Sequence, residues 1–149
     1  VDPDIHIDVA YVERNAGGDA VYDATHELVE AGADLILACA GEANAQIIQA
    51  VRESHGYVLL ADDGTSRRGR GTVLAAVVTD RARATENAVG AVLAVPAPPD
   101  VRGRFGFAGG YLDFRPATPL YRRVLPKQVR DAQDELVRRL TDGELTLDR

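Results

Sequence analysis

A single cysteine, Cys39, and a single lysine, Lys127, occur in the 149 residues. One cysteine excludes an intrachain disulfide and leaves the redox compartment open. Basic charge is otherwise all arginine. With the Ala, Val, Gly and Asp bias, this reflects the base composition of the gene, not a function. The net charge is -6, and no basic stripe or aromatic–basic interleaving occurs, so the sequence argues against a nucleic-acid partner. No apolar run is long enough to span a bilayer, and no signal peptide stands at the start. The chain opens on Val1 and not on Met, as expected of a processed or cut piece of something longer. Neither GxGxxG nor GxxxxGK(S/T) occurs, so there is no dinucleotide fingerprint and no P-loop. GxSxG is missing as well. His6, His26, His55 and Cys39 make no HExxH or paired-cysteine set, so no metal and no other cofactor is expected.

What remains describes one globular domain with a real core. The hydrophobic fraction is 46% and the charged fraction 27%, ordinary values for a soluble α/β protein. Ile5 to Val12 alternates and is β-branched, which predicts a strand. From Asp19, a plausible N-cap, Val21, Ala24, Leu28, Val29 and Ala31 recur at helical spacing, and Gly32 ends the helix. Leu35 to Cys39 is a continuous apolar run, the pattern of a parallel strand covered on both faces. A helix over Ala43 to Ser54 turns Ile47, Ile48, Ala50 and Val51 inward and stops near Gly56. Tyr57 to Ala61 and Thr72 to Val78 are further apolar strands, separated by the basic stretch "TSRRGRG" (residues 65–71). Ala82 to Val95 predicts a helix, "PAPPD" (residues 96–100) a stiff linker, and Phe105 to Phe114 a strand broken at Gly109-Gly110. Pro126 suits the first position of a final amphipathic helix over Val129 to Leu140, which Gly143 ends. Alternation of strand and helix argues for βαβ units and a parallel sheet with right-handed crossovers.

Two places on this outline carry possible chemistry. In "GADLILACAGEANAQIIQAVRE" (residues 32–53), Gly41 stands between a buried strand and a helix start. Open α/β sheets hold ligands at that carboxyl edge, beside helix N-termini with free N–H groups. A tight turn is the plainer reading of the same residues. Asp62 and Asp63 end the next strand on the same edge. Asp63-Gly64 reads as a turn, whereas for Asp62 ligand contact and a solvated strand end stand level. Cys39, inside an apolar strand, reads as a buried structural thiol in a central strand. Arg67, Arg68 and Arg70 read as a solvated mobile loop, with an anion grip the alternative. Nothing here assembles an enzyme. A hydrolase or transferase using Asp62 or Asp63 is the distant alternative.

Five stretches taken in order resemble the C-terminal half of the Bmp (basic membrane protein) family. They are "DPDIHIDVAYV" (2–12), the "GADLILACAG" block, "YVLLADD" (57–63), "TVLAAVVTDRARATENAV" (72–89) and "LPKQVRDAQDELVRRLTDGEL" (125–145). The family comprises periplasmic-binding-protein-like lipoproteins and Med-type regulators, and its best-understood members bind purine nucleosides in a cleft between two lobes. The resemblance implies a mostly parallel, Rossmann-like α/β sheet flanked by helices, one lobe of a type I periplasmic binding protein, over residues 1–149. It implies a non-catalytic solute-binding or sensing role, without cofactor, for a small polar, nucleoside-like ligand. The compartment is left open by the residues themselves, and the resemblance implies an extracytoplasmic, membrane-anchored place.

Carried over by position, Gly41 matches the glycine after the second strand of the lobe and Asp62 an aspartate that contacts ribose hydroxyls. Glu42 replaces part of a Gly-rich turn and brings a carboxylate to the cleft mouth. The stacking aromatic falls near Asn15, which cannot stack, and the family's lysine falls at Thr79. Asn15, Gly41, Glu42, Asp62 and Thr79 are therefore the expected ligand-binding set. Residues 72–95 either pack locally or present Ala88, Ala91 and Val92 to a partner lobe or a second copy. The missing ring and lysine also support another class of function, a degenerate lobe serving as a protein-interaction or regulatory module.

Overall fold

A computed structural model describes residues 4–13, 16–61, 69–94, 106–117 and 119–145. Four strands, β1 (Leu35–Ala38), β2 (Tyr57–Leu60), β3 (Val73–Thr79) and β4 (Leu112–Pro116), form one sheet in that order. The first three are parallel, and β4 returns antiparallel to β3. The helices are α1 (Gly18–Glu30), α2 (Asn44–Glu53), α3 (Arg81–Leu93), α4 (Leu120–Val124) and α5 (Lys127–Thr141). The α/β class, the mostly parallel sheet and the flanking helices are as the sequence leads one to expect.

One face of the sheet carries the main core. Val21 of α1 and Ile47, Ile48 and Val51 of α2 pack on Ile36, Ala38, Val58, Leu60, Ala76 and Val78. On the other face Leu120 and Tyr121 of α4 cover Leu74 and Ala75, with Phe114 set edge-on to Tyr121. α4 lies in a stretch to which the sequence assigned no element. Among the described strands only β3 is closed on both sides over most of its length, from Val73 to Ala76.

Helix ends follow local chemistry. Gly32 adopts φ +106°, and the N–H groups of Gly32 and Ala33 bond to the carbonyls of Val29 and Leu28. This is the Schellman closure that a glycine makes cheap. α1 itself starts at Gly18 behind an N-cap at Gly17, so Asp19 lies in the first turn and not at the cap. There its charge still complements the helix dipole. Pro126 precedes α5 as its N-cap residue, one position earlier than expected.

Three expectations need correction. Ile5 to Val12 joins no strand ladder, and its side chains are exposed. Alternation describes a strand that has a partner, and the described chain supplies none. His6 Nε2 and Asp8 Oδ1 nevertheless meet at 3.1 Å, the same-side i,i+2 pairing that extended backbone gives. Second, β1 is not covered on both faces: Ile36 and Ala38 are buried, while Leu35 is 46% and Leu37 64% exposed. Among the described residues β1 has a strand partner on one side only, and no helix packs over its second face. Third, Cys39 is exposed, because it lies one residue past this edge strand and not inside a central one.

Within residues 72–95, β3 packs into the sheet, whereas α3 lies at the surface with Ala84 and Ala88 half-buried. None of its residues is buried, and Val89, Val92 and Leu93 are exposed. It is tethered by polar contacts: Asn87 Nδ2 donates to Tyr111 Oη at 2.8 Å, and the Arg83 guanidinium sits 5.8 Å from the Tyr111 ring centroid.

Candidate functional site at the carboxyl edge of the sheet

Because β1, β2 and β3 run the same way, their carboxyl ends lie along one edge. The chain leaves β1 through Cys39 and Ala40 into a short 3₁₀ turn, Gly41–Ala43, and then enters α2. Gly41 takes φ +60°, and a Cβ there would meet no atom within 4 Å. The glycine is therefore required by backbone conformation and not by crowding. Ala40 donates its N–H to Asn44 Oδ1 at 2.8 Å, and the Ala43 N–H reaches the Ala40 carbonyl. Asn44 is only 1% exposed. It pins a sharp strand-to-helix junction whose exposed rim is Gly41 and Glu42.

The next strand ends alongside, with the Ala61 N–H bonded to the Ala38 carbonyl at 3.1 Å. Thr79 is the exposed last residue of β3 and pairs with Leu112. β2 lies between β1 and β3, and Thr79 stands three residues, about 10 Å, beyond Ala76, the residue level with Leu60 and Ala38. Of the expected binding set, Gly41, Glu42 and Thr79 thus share an edge, whereas Asn15 and Asp62 lie outside the described residues. So do Asp63, Arg67, Arg68, Phe105 and the 96–100 linker.

A polar hollow of about 300 Å³ opens beside the end of β3, lined by Val78, Asp80, Phe107, Gly110, Asp113 and Arg115, among others. Asp80 accepts the Arg83 N–H at 2.9 Å as the N-cap of α3. Asp113 pairs with Arg115 Nε at 2.9 Å. A wider, apolar hollow runs along α3 past Ala82, Val89 and Leu93 and brings few polar groups with it. No group of three or more His, Cys, Asp or Glu placed to hold a metal occurs among the described residues.

Sequence reasoning missed Asn44, Asp80 and the Asp113–Arg115 pair. Asn44 had a signal: it shares the inward face of α2 with Ile47, Ile48 and Val51, at the i, i+3, i+4, i+7 spacing of a buried stripe. A polar residue at such a position needs a partner, and here it finds the Ala40 N–H. Asp80 is an acid directly before a helical stretch, an ordinary cap signal.

Charge coupling concentrates away from this edge. The Tyr22 hydroxyl donates to Glu53 and ties α1 to α2, which raises the tyrosine and lowers the glutamate. At the end of α5, Arg138 binds Glu135, Asp142 and Glu144 together and holds Glu135 and Glu144 below the usual carboxylate range.

A mostly parallel four-stranded sheet flanked by helices is consistent with a lobe of the periplasmic-binding-protein kind. The Bmp family model, described as ABC transporter substrate-binding protein PnrA-like, matches residues 1–141, and the chain belongs to that family. Its members are extracytoplasmic substrate-binding proteins, typically non-enzymatic, and the family supports a solute-binding role for this domain. No helix among the described residues is long and apolar enough to cross a membrane.

Proposed function

We propose that residues 1–149 form one lobe of a solute-binding protein that holds a small polar, nucleoside-like ligand. The ligand lies on the carboxyl edge of the sheet, against Gly41, Glu42 and Thr79, with Asn15 and Asp62 completing the set. The observation that carries this reading is the left-handed Gly41 junction, pinned by Asn44 and in line with the ends of β2 and β3. Such a junction turns peptide N–H groups toward the edge, where hydroxyls or carbonyls of a solute can accept them. Glu42 and Asp62 accept hydroxyl protons. Thr79 donates or accepts. A partner lobe closes over the ligand and meets residues 72–95. On this reading the protein works outside the cytoplasmic membrane and is tethered to it.

Calorimetry with a panel of nucleosides, sugars and amino acids tests the reading. A hydroxyl bonded to an ionised carboxylate contributes about 1.5–3 kcal/mol. Asp62→Ala therefore weakens binding by roughly one to two orders of magnitude and leaves the melting temperature in place. No heat and no thermal shift across the panel overturns the reading. Lost stability with unchanged affinity removes Asp62 from the site and makes it a turn former.

A second reading rests on α3. Thirteen helical residues without a buried one, with Val89, Val92 and Leu93 in solvent, favour a degenerate lobe that serves as an interaction or regulatory module. Asn15 in place of a stacking ring and Thr79 in place of a lysine favour it too. Val89→Asp with Leu93→Asp separates the two. If the α3 face binds a protein, association is lost and any solute affinity is retained.

A further inference from the structure

The pair Gly109-Gly110 interrupts a strand-like run, and neither the core nor the solute edge explains it. Its neighbours do. A Cβ on Gly109 would run into the Tyr111 ring, and one on Gly110, whose φ is +68°, would stand 2.5 Å from Arg83 Nη1. The two glycines leave room for the ring and for the guanidinium beside it. The turn that carries them is closed by hydrogen bonds of its own, Gly110 N–H to the Phe107 carbonyl at 2.8 Å and Tyr111 N–H to the Gly106 carbonyl at 3.1 Å. Tyr111 therefore projects from a fixed base.

Tyr111 meets the start of α3 at successive points. Its carbonyl accepts the Asp80 N–H at 2.8 Å, directly beyond the Thr79–Leu112 pair. Its ring lies 5.8 Å from the Arg83 guanidinium, which also donates to the Gly110 carbonyl at 3.5 Å. Its hydroxyl accepts from Asn87 Nδ2 at 2.8 Å. Residues 80, 83 and 87 have the i, i+3, i+7 spacing of one helix face, and half-buried Ala84 and Ala88 continue it. Asp80 closes the set by accepting the Arg83 N–H at 2.9 Å. Ala82, Glu86, Val89 and Leu93 lie on the opposite side of the helix. One face of α3 is thus clamped by Tyr111 and the other turned away from it, and the clamp joins the chain at the last residue of β3.

We propose that Tyr111 is a positioning residue for the solute edge, and that it couples Thr79 to α3. Thr79 stands between the β3–β4 ladder and the Asp80–Tyr111 bond, so its place at the edge is fixed from both sides. A solute held at Thr79 firms the clamp. Anything that turns α3 shifts the solute in return, because coupling between two sites is reciprocal. The inference rests on the reading of Thr79 as a solute contact. It adds to that reading a route from the carboxyl edge to the far side of α3, carried by one side chain and not by the core.

Calorimetry and amide exchange on the 149-residue chain test it, with adenosine, ribose and glycine as probes, one from each class in the panel. Tyr111→Phe removes the hydroxyl and keeps the ring and the carbonyl. Asn87→Ala removes its donor at an exposed helical position. Each variant is expected to bind the probe about threefold to tenfold more weakly than the wild type. The double variant is expected to bind no more weakly than either single one, because both delete the same bond. At saturating probe the amides of residues 84–90 gain protection in the wild type and not in Tyr111→Phe. A purely structural tyrosine would instead lower protection equally with and without probe. If Tyr111→Phe does not fold, Asn87→Ala carries the same comparison. A wild type that binds none of the three probes overturns the coupling together with the solute reading it rests on. Binding that both variants retain at full strength leaves the solute reading standing and overturns the coupling. Protection of α3 that ignores a bound probe in the wild type overturns it too.

Discussion

Ala40 and Asn44 are joined across the strand–helix junction by one hydrogen bond, the Ala40 N–H to Asn44 Oδ1 at 2.8 Å. The bond ties the residue before left-handed Gly41 to the first residue of α2. Asn44 is buried, so its truncation strands a partly buried N–H and leaves a small void. Asn44→Ala should lower stability by about 1–3 kcal/mol. It should also weaken any solute held at Gly41, because the junction loses its pin. Urea unfolding and calorimetry on the one variant read both effects. An unchanged midpoint would show that the turn holds without the side chain.

His55 is the only described non-glycine residue with positive φ, at 61°. It closes α2 as Gly32 closes α1: the N–H groups of His55 and Gly56 bond to the carbonyls of Arg52 and Val51. A residue with a Cβ is strained there by about 1 kcal/mol. His55→Gly should recover most of that strain, with a higher melting temperature. Gly56→Ala should act in the opposite direction. Its Cβ would come within 3.1 Å of Val51 Cγ1 and 3.3 Å of the Asp34 carbonyl oxygen. A stabilised Gly56→Ala would contradict this close approach of α2 to the start of β2.

The Arg138 cluster sets a pH dependence. Glu135 and Glu144 titrate below the ordinary 4.5 because Arg138 bonds to their charged forms. Groups with depressed folded values bind fewer protons in the folded chain than in the unfolded one near their pKa. Their contribution is therefore complete above pH 4.5 and drains away as pH falls through the lower folded values. The side chains are exposed, so the effect is confined to the last turn of α5 and is screened by salt. Amide exchange at Arg139–Asp142 should quicken as pH falls from 5 toward 3, after correction for the intrinsic rate. Arg138→Gln should remove that extra dependence. Equal protection at both pH values would show that the cluster contributes nothing.

How far the sequence could be read depended on whether a residue's partners lay close by. Gly32 is legible because a Schellman closure involves only the preceding turn. The inward stripe of α2 and the run of β3 are legible because periodicity reports burial, and these elements are covered. Leu35 to Cys39 has the same apolar signature as β3, yet its second face is open. Apolar character states what a strand needs, not what covers it. Ile5 to Val12 failed for the same reason: alternation reports preference for a ladder, and a ladder takes a second strand. α4 escaped notice because five residues make little more than one turn, too short for a period. At the site, Gly41 and the shared strand edge followed from the order of elements. The Asn44 bond depends on a side chain folding back over its own turn, which spacing alone does not specify.

Cys39 offers the sharpest check on the edge position of β1. A thiol within a central strand would be inert, whereas this one is exposed one residue beyond Ala38. Accessibility and thiolate fraction govern its reaction with a disulfide reagent. Native labelling should therefore run within about tenfold of the rate in the urea-unfolded chain. Slowing by a solute found in calorimetry places that solute near the Ala40–Gly41 junction. A native chain inert for hours would mean that Cys39 is covered within the fold, against its exposed position past β1.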